Sequence, residues 1–163
     1  MAETVHLFLK AGNAIIKGES SQKSLGRADS IECLYFDHSV TTPREAGSGM
    51  ATGKRQYSPI LIRKHIDKST PLLFKALTTN QLIEGTFNFF RPNPTGNGTT
   101  EHFYTINIKK GRVIGVRDYV ADILNPATQT YPALEEVSFV FEEITWTYVN
   151  GGVTHQDNWS TIR

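Results

Sequence analysis

The chain has 163 residues, of which 39% are hydrophobic and 20% charged, with 9 Phe, 6 Tyr and 2 Trp. That is enough apolar material for one domain, expected to span 1–163, and it excludes intrinsic disorder. Lys and Arg number 17 against 16 Asp and Glu, so no charge surplus drives generic binding to nucleic acid or anionic membrane; the single cysteine, Cys33, excludes an intrachain disulfide and a multi-cysteine metal site.

The N-terminal run Met1-Ala2-Glu3-Thr4-Val5-His6-Leu7-Phe8-Leu9-Lys10 lacks the basic and uninterrupted apolar regions of a cleavable leader and reads as a first strand. No window approaches the ~20 apolar residues needed to span a bilayer, so membrane insertion is not expected. A short strand begins at Ile31. If Ile31, Cys33 and Tyr35 face a core, period-2 alternation sends Glu32, Leu34 and Phe36 to the other face.

Val40 to Gln56 differs in kind. It holds Gly47, Gly49, Gly53 and Pro43 among Ser and Thr residues, with only Met50 able to anchor it in a core. A segment this long inside one domain implies an interaction role, and Arg44, Glu45, Lys54 and Arg55 give it charges that set register against a partner. A strand-like run follows from Tyr57. Asp67 to Leu77 is the one good helix: Ser69 or Thr70 caps it, Pro71 suits its first turn, and Leu73 with Leu77 forms an apolar i,i+4 pair.

Strands then dominate. Ile83, Phe87 and Phe89 share one parity, and Tyr104, Ile106 and Ile108 another strand's face, with Arg91 to Gly98 as the loop between. Lys110-Gly111 and Asn125-Pro126 punctuate the later part, with a further run from Val113. In Leu134 to Val149 the apolar parity changes at Glu142-Glu143, from Val137, Phe139 and Phe141 to Ile144, Trp146 and Tyr148, which predicts a β-bulge and a curled sheet. The fold class is therefore mainly β: a compact antiparallel β-barrel with one short flanking α-helix and a long extended loop.

Catalytic chemistry finds little support. Five histidines accompany no nucleophile elbow, and Cys33 on a strand reads as a buried core residue. Glu135-Glu136 and Glu142-Glu143 are adjacent pairs whose members point to opposite sheet faces, so neither pair shares a substrate atom; solvated or interface positions suit them better. Gly53-Lys54 matches only the centre of a phosphate-binding loop, and no helix follows. Phe89-Phe90-Arg91 and His102-Phe103-Tyr104 are the best candidates for an oligonucleotide platform on a small barrel, against which the near-neutral charge argues. No catalytic, cofactor-binding or metal-binding residue is assigned, and the alternative class is a small β-barrel enzyme or ligand- or oligonucleotide-binding module.

Lys64-His65-Ile66-Asp67-Lys68-Ser69-Thr70-Pro71 closely resembles the signature of the Hcp family, the haemolysin-coregulated tube proteins of bacterial type VI secretion systems. Lys17-Gly18-Glu19-Ser20 resembles the family's early turn, Val40 to Gln56 its extended loop, Val137 to Tyr148 its late aromatic strand, and Asp157-Asn158-Trp159 its tail. Thr41 to Ala46, Phe36 and His38 depart from the commoner pattern. The resemblance implies a non-enzymatic β-barrel, a homohexamer whose rings stack into a tube, and a contractile sheath and tip spike protein as partners. It implies small effector proteins in the lumen, no cofactor and no nucleic acid, and a protein cytoplasmic when assembled and then secreted without a signal peptide. On this reading Arg44, Glu45, Gly47, Gly49, Gly53, Lys54 and Arg55 form the subunit or ring-stacking loop, and Glu32, Leu34 and Phe36 the lumen face.

Overall fold

The computed structural model describes residues 3–159; Met1 and Ala2, which open the first expected strand, and residues 160–163 lie outside them. Among the described residues twelve strands and one α-helix follow one another: β1 (Thr4–Ala11), β2 (Ala14–Ile16), β3 (Ile31–Cys33), β4 (Tyr35–Asp37), β5 (Val40–Thr41), β6 (Gln56–Tyr57), β7 (Ile60–His65), α1 (Thr70–Thr78), β8 (Ile83–Pro92), β9 (Thr100–Tyr119), β10 (Leu134–Val140), β11 (Glu143–Tyr148) and β12 (Val153–Asn158), with a single 3-10 turn at Ser24–Gly26. All pairings are antiparallel. Ten strands form one sheet along β2-β1-β8-β9-β10-β7-β4, with β3 added to β1 and β11–β12 added to β9, while β5 and β6 pair only with each other.

The expected barrel is a sheet whose path is not closed by a continuous ladder. Its two ends are bridged by the chain itself: β3 pairs with β1, β4 pairs with β7, and only Leu34 separates them. The Leu34 N–H donates to the Arg63 carbonyl at 2.6 Å. Inside the curl lie Leu7 and Leu9, Ile31, Ile60 and Ile62, Phe87, Ile106 and Ile108, Val137 and Phe139, and Ile144, all buried. Burial of such side chains contributes about 1.5–3 kcal/mol each, the main force holding a fold that lacks disulfides.

Strand β9 corrects two expectations. Lys110-Gly111 does not end a strand, and no separate strand begins at Val113; a single 20-residue strand runs through both. Its first part pairs with β8 and β11 and its second with β10, so it carries the sheet around a corner. Lys110 takes φ of 52°, and a Cβ on Gly111 would meet the Val140 carbonyl oxygen at 2.9 Å, so only glycine fits where the strands draw together.

The parity change at Glu142-Glu143 is real, yet its cause is a bend rather than a bulge. Val140 pairs with Arg112 and Glu143 with Lys109, the same count on both strands, so no residue is inserted there. The register shifts lie elsewhere, between Ser138 and Phe139 against β9 and at two places along β8.

Helix α1 packs on β9 through Leu73 and Ala76. The expected hydroxyl cap is not what starts it. Ser69 occupies the N-cap position, but its Oγ makes no capping bond and donates instead to Asp67, whose Oδ1 also accepts the Ser69 N–H at 2.9 Å. The far end closes with Asn80 at φ 53° and with Gln81 and Asn80 N–H groups bonded to the Ala76 and Leu77 carbonyls, a Schellman arrangement using asparagine in place of glycine.

Candidate functional site

The two most distinctive sequence runs meet in space. A Cβ on Gly18 would lie 2.6 Å from the Ser30 carbonyl oxygen and 2.7 Å from Ile31 Cα, so Gly18 lets the chain press directly on β3. Glu19 then accepts the Lys68 N–H at 3.2 Å, and Ser20 Oγ lies 3.3 Å from Nδ1 of the buried His6. Burial lowers the His6 pKa from its ordinary value.

Beside this turn the Lys64 ammonium is enclosed. It contacts Glu135 Oε2 at 3.2 Å, Asp67 Oδ1 at 3.0 Å, Thr70 Oγ1 at 3.3 Å and the His65 carbonyl at 2.9 Å. Thr70 donates to Glu135 at 2.5 Å. The expectation that Glu135 is solvated is therefore wrong: it is fully buried, because an opposing buried cation makes the inner face available to it. Glu136 takes the outer face as alternation requires, between Arg63 and Arg117. The Lys-to-Pro run that carries the resemblance thus forms a polar clamp joining β7, α1 and β10.

The long segment from Val40 is a hairpin-like excursion rather than an irregular loop. Its base is the β5–β6 pair, Arg44 and Ala51 form a bridge, and Thr52 N–H bonds to the Pro43 carbonyl. At the tip the Glu45 N–H donates to Met50 O, the Gly49 N–H donates to Glu45 O with Gly49 at φ 72°, and Arg44 donates to the Gly49 carbonyl. Met50 does not anchor the segment; it is 67% exposed. Gly47 and Gly53 lie in exposed stretches of it, and Lys54 has no ion pair among the described residues.

Arg55 corrects the grouping of the loop's charges, since its guanidinium works within the chain. It donates to Asp157 at 2.5 and 2.9 Å and to the Asn158 carbonyl at 3.1 Å, and Tyr57 donates to the same carboxylate. Burial pushes the Asp157 carboxyl up, but the bonds from Arg55 and Tyr57 together outweigh it and hold the group below its ordinary range. Burial, with the Asp157 charge, pushes the Tyr57 phenol up to about 12. Around this anchor, Trp146 donates to His38 Nε2 at 3.2 Å and stacks on His155 at 5.8 Å.

The residues expected on one strand face do not share it. The bend at Leu34 reverses the alternation, so Tyr35 is exposed while Phe36 packs inward on Phe87 and Phe89 at 5.1 and 5.0 Å. Leu34 is half exposed, and Glu32 accepts bonds from the Ser21 N–H and hydroxyl. Cys33 is buried, and burial raises its pKa well above the ordinary thiol value, away from nucleophilic use. Gly53-Lys54 leads into β6, with no helix for a phosphate to cap. Of the suggested oligonucleotide aromatics, Phe90 is buried against His6 and His102, and Phe89 packs on Phe36.

One surface was legible in the sequence only as Asn125-Pro126 punctuation: the turn between β9 and β10. Asp122 and Asn125 fold it through side-chain bonds to Leu124 and Ala127 N–H, and it presents Val120, Ile123, Leu124 and Tyr131 to solvent, Leu124 at 87% exposure. Regularly spaced turn formers around exposed apolar residues were the available signal.

Residues 8–148 match the family described as "Type VI secretion system effector, Hcp". The chain is 33% identical over 135 residues to the "Major exported protein" of Pseudomonas aeruginosa, covering 82% of this chain and 77% of that protein. A structure of a variant of Hcp1 from the E. coli EAEC 042 pathovar superposes with a TM-score of 0.81 at 32% identity, covering 97% of this chain and 99% of that one. The secreted protein Hcp3 of Pseudomonas aeruginosa shares the fold, with a TM-score of 0.76 at 24% identity over 98% of this chain and 100% of its own.

Proposed function

The chain belongs to the Hcp family of type VI secretion effectors, and from that premise we propose that it is a non-enzymatic tube subunit. Six copies close a ring, and rings stack into the inner tube that a contractile sheath expels behind a tip spike protein. Small effector proteins travel in the lumen. The tube is assembled in the cytoplasm and leaves the cell through the type VI apparatus.

The observation that carries this reading is the Val40–Tyr57 excursion. It is ordered by its own backbone bonds and fixed at its base by Arg55, yet its tip, residues 44–50, is exposed throughout, Met50 included. Ordering a glycine-containing segment costs roughly 1–2 kcal/mol per residue, which a partner surface offsets. Arg44, Glu45, Gly47, Gly49, Gly53 and Lys54 face the next subunit or ring, and Arg55 holds the hairpin upright. The exposed Ile123–Leu124 turn supplies apolar area for a heterologous, ring-closing contact.

Light scattering on a sizing column tests the ring, which is expected at about six times the 18.2 kDa of one chain. Excising Gly47 to Thr52 leaves a folded domain and abolishes stacking and secretion. Tubes seen by electron microscopy for that variant, with secretion intact, would remove the loop from the mechanism; a monodisperse wild-type monomer at micromolar concentration would remove the ring.

A further inference from the structure

We propose that the outer face of the β4-β7-β10-β9 sheet is a docking surface for an acidic segment of a carried protein, recognised by Arg63 and Arg117. The proposal rests on the carrier reading above and names the chemistry of its partner.

The residues are brought together by register. Tyr35 pairs with Arg63, Arg63 with Glu136, and Glu136 with Arg117, so one transverse row crosses four strands on the solvent side. Tyrosines flank it: the Arg63 guanidinium lies 5.2 Å from the Tyr35 ring centre and Arg117 lies 4.4 Å from that of Tyr119. Between the arginines stands one carboxylate. Glu136 Oε1 lies 2.9 Å from Arg117 and 3.7 Å from Arg63.

Two guanidiniums therefore share one carboxylate, and the nearer one takes it. Arg63 is left with the longer contact from its Nη2, and its side chain is still 38% exposed. An exposed guanidinium end held over a ring and only loosely paired favours an incoming carboxylate, which accepts charge-assisted hydrogen bonds from its terminal N–H groups. The rings hold both guanidiniums in place, so little side-chain freedom is lost when a partner arrives; Arg and Tyr are also the residues that dominate protein interfaces. Leu34 and Tyr35, both exposed, extend the row with apolar area at the edge of β4.

The charge pattern selects protein over nucleic acid. A phosphate backbone is held by many cations at once, and this row offers two arginines on a chain with 17 basic against 16 acidic residues, which suits one or two carboxylates better than a polyphosphate strand.

The test is fluorescence anisotropy with labelled poly-L-glutamate of about 15 residues, with poly-L-lysine and a thymidine oligonucleotide of similar length as comparison probes, at low salt. Arg63→Gln/Arg117→Gln is expected to weaken poly-L-glutamate binding about tenfold or more, and Glu136→Gln to strengthen it. Arg117→Gln alone, at a mostly exposed side chain, shows part of the loss without risk to folding. Unchanged poly-L-glutamate binding in the folded Arg117→Gln and double variants overturns the proposal, as does oligonucleotide binding that is tighter and lost in parallel. Light scattering on the same samples separates the two readings: a wild-type monomer with arginine-dependent binding sinks the carrier role alone, and a hexamer without it sinks this surface alone.

Discussion

Lys64 and Glu135 stand directly opposite each other on β7 and β10, Nζ 3.2 Å from Oε2, with side-chain exposures of 1% and 0%. Burial raises the Glu135 pKa despite the opposing pull of Thr70 and Lys64, and its Oε1 has no hydrogen-bond partner among the described residues. The pair is therefore a device for position more than for net stability. It fixes β10 against the start of α1, where an apolar pair would let the strand slide.

Breaking this pair from one side leaves an uncompensated buried charge. Lys64→Met is expected to cost about 3–5 kcal/mol, while Lys64→Met/Glu135→Leu recovers most of the loss. Denaturant melts of the two variants check the order, and equal losses in both would show that the polar clamp itself stabilises the fold.

Gly18 and Gly47 make a controlled comparison. Gly18→Ala forces a methyl onto the Ser30 carbonyl and Ile31 Cα and is expected to cost about 1–3 kcal/mol. Gly47→Ala meets no atom within 4 Å and should stay within about 0.5 kcal/mol of the parent by thermal melting.

The Asp157 clamp on Arg55 follows the protonation of a carboxylate whose native pKa lies below its ordinary 3.8. The native state binds the proton more weakly than the unfolded chain, so the clamp's contribution is full above that ordinary value and is lost as pH falls through the lowered one. Nuclear magnetic resonance of the Arg55 Nε–H should show a protected signal at neutral pH that disappears under strong acid. Asp157→Asn is expected to lose it at neutral pH and to speed tryptic cleavage after Lys54.

His38 follows the same direction on the pH axis, in a higher window. Burial lowers its pKa against the smaller opposing effect of Asp37, and its neutral Nε2 accepts the Trp146 indole N–H. Stability from this bond is full above the ordinary 6.5 and is lost as pH falls through the lowered native value. Trp146 fluorescence should change in that window. His38→Gln, which keeps an acceptor but cannot titrate, should flatten the change while His155→Gln leaves it in place.

The sequence by itself determined the class and the family. Alternation in Tyr104 to Ile108 and Ile83 to Phe89 made strands, Pro71 and the Leu73 spacing placed the helix, and the Lys64-to-Pro71 run carried the resemblance. Those features are local, so adjacent residues suffice to state them. The tertiary structure alone decided which face each residue took once strands bend. Leu34 reverses the parity that would have put Phe36 outside, and a corner opposite Lys110-Gly111, not an inserted residue, turns Ile144 inward. It also decided partners distant in the chain. A charged residue reads as solvated until an opposite charge is shown to face it, and the Lys64–Glu135 and Arg55–Asp157 pairs join residues 71 and 102 positions apart.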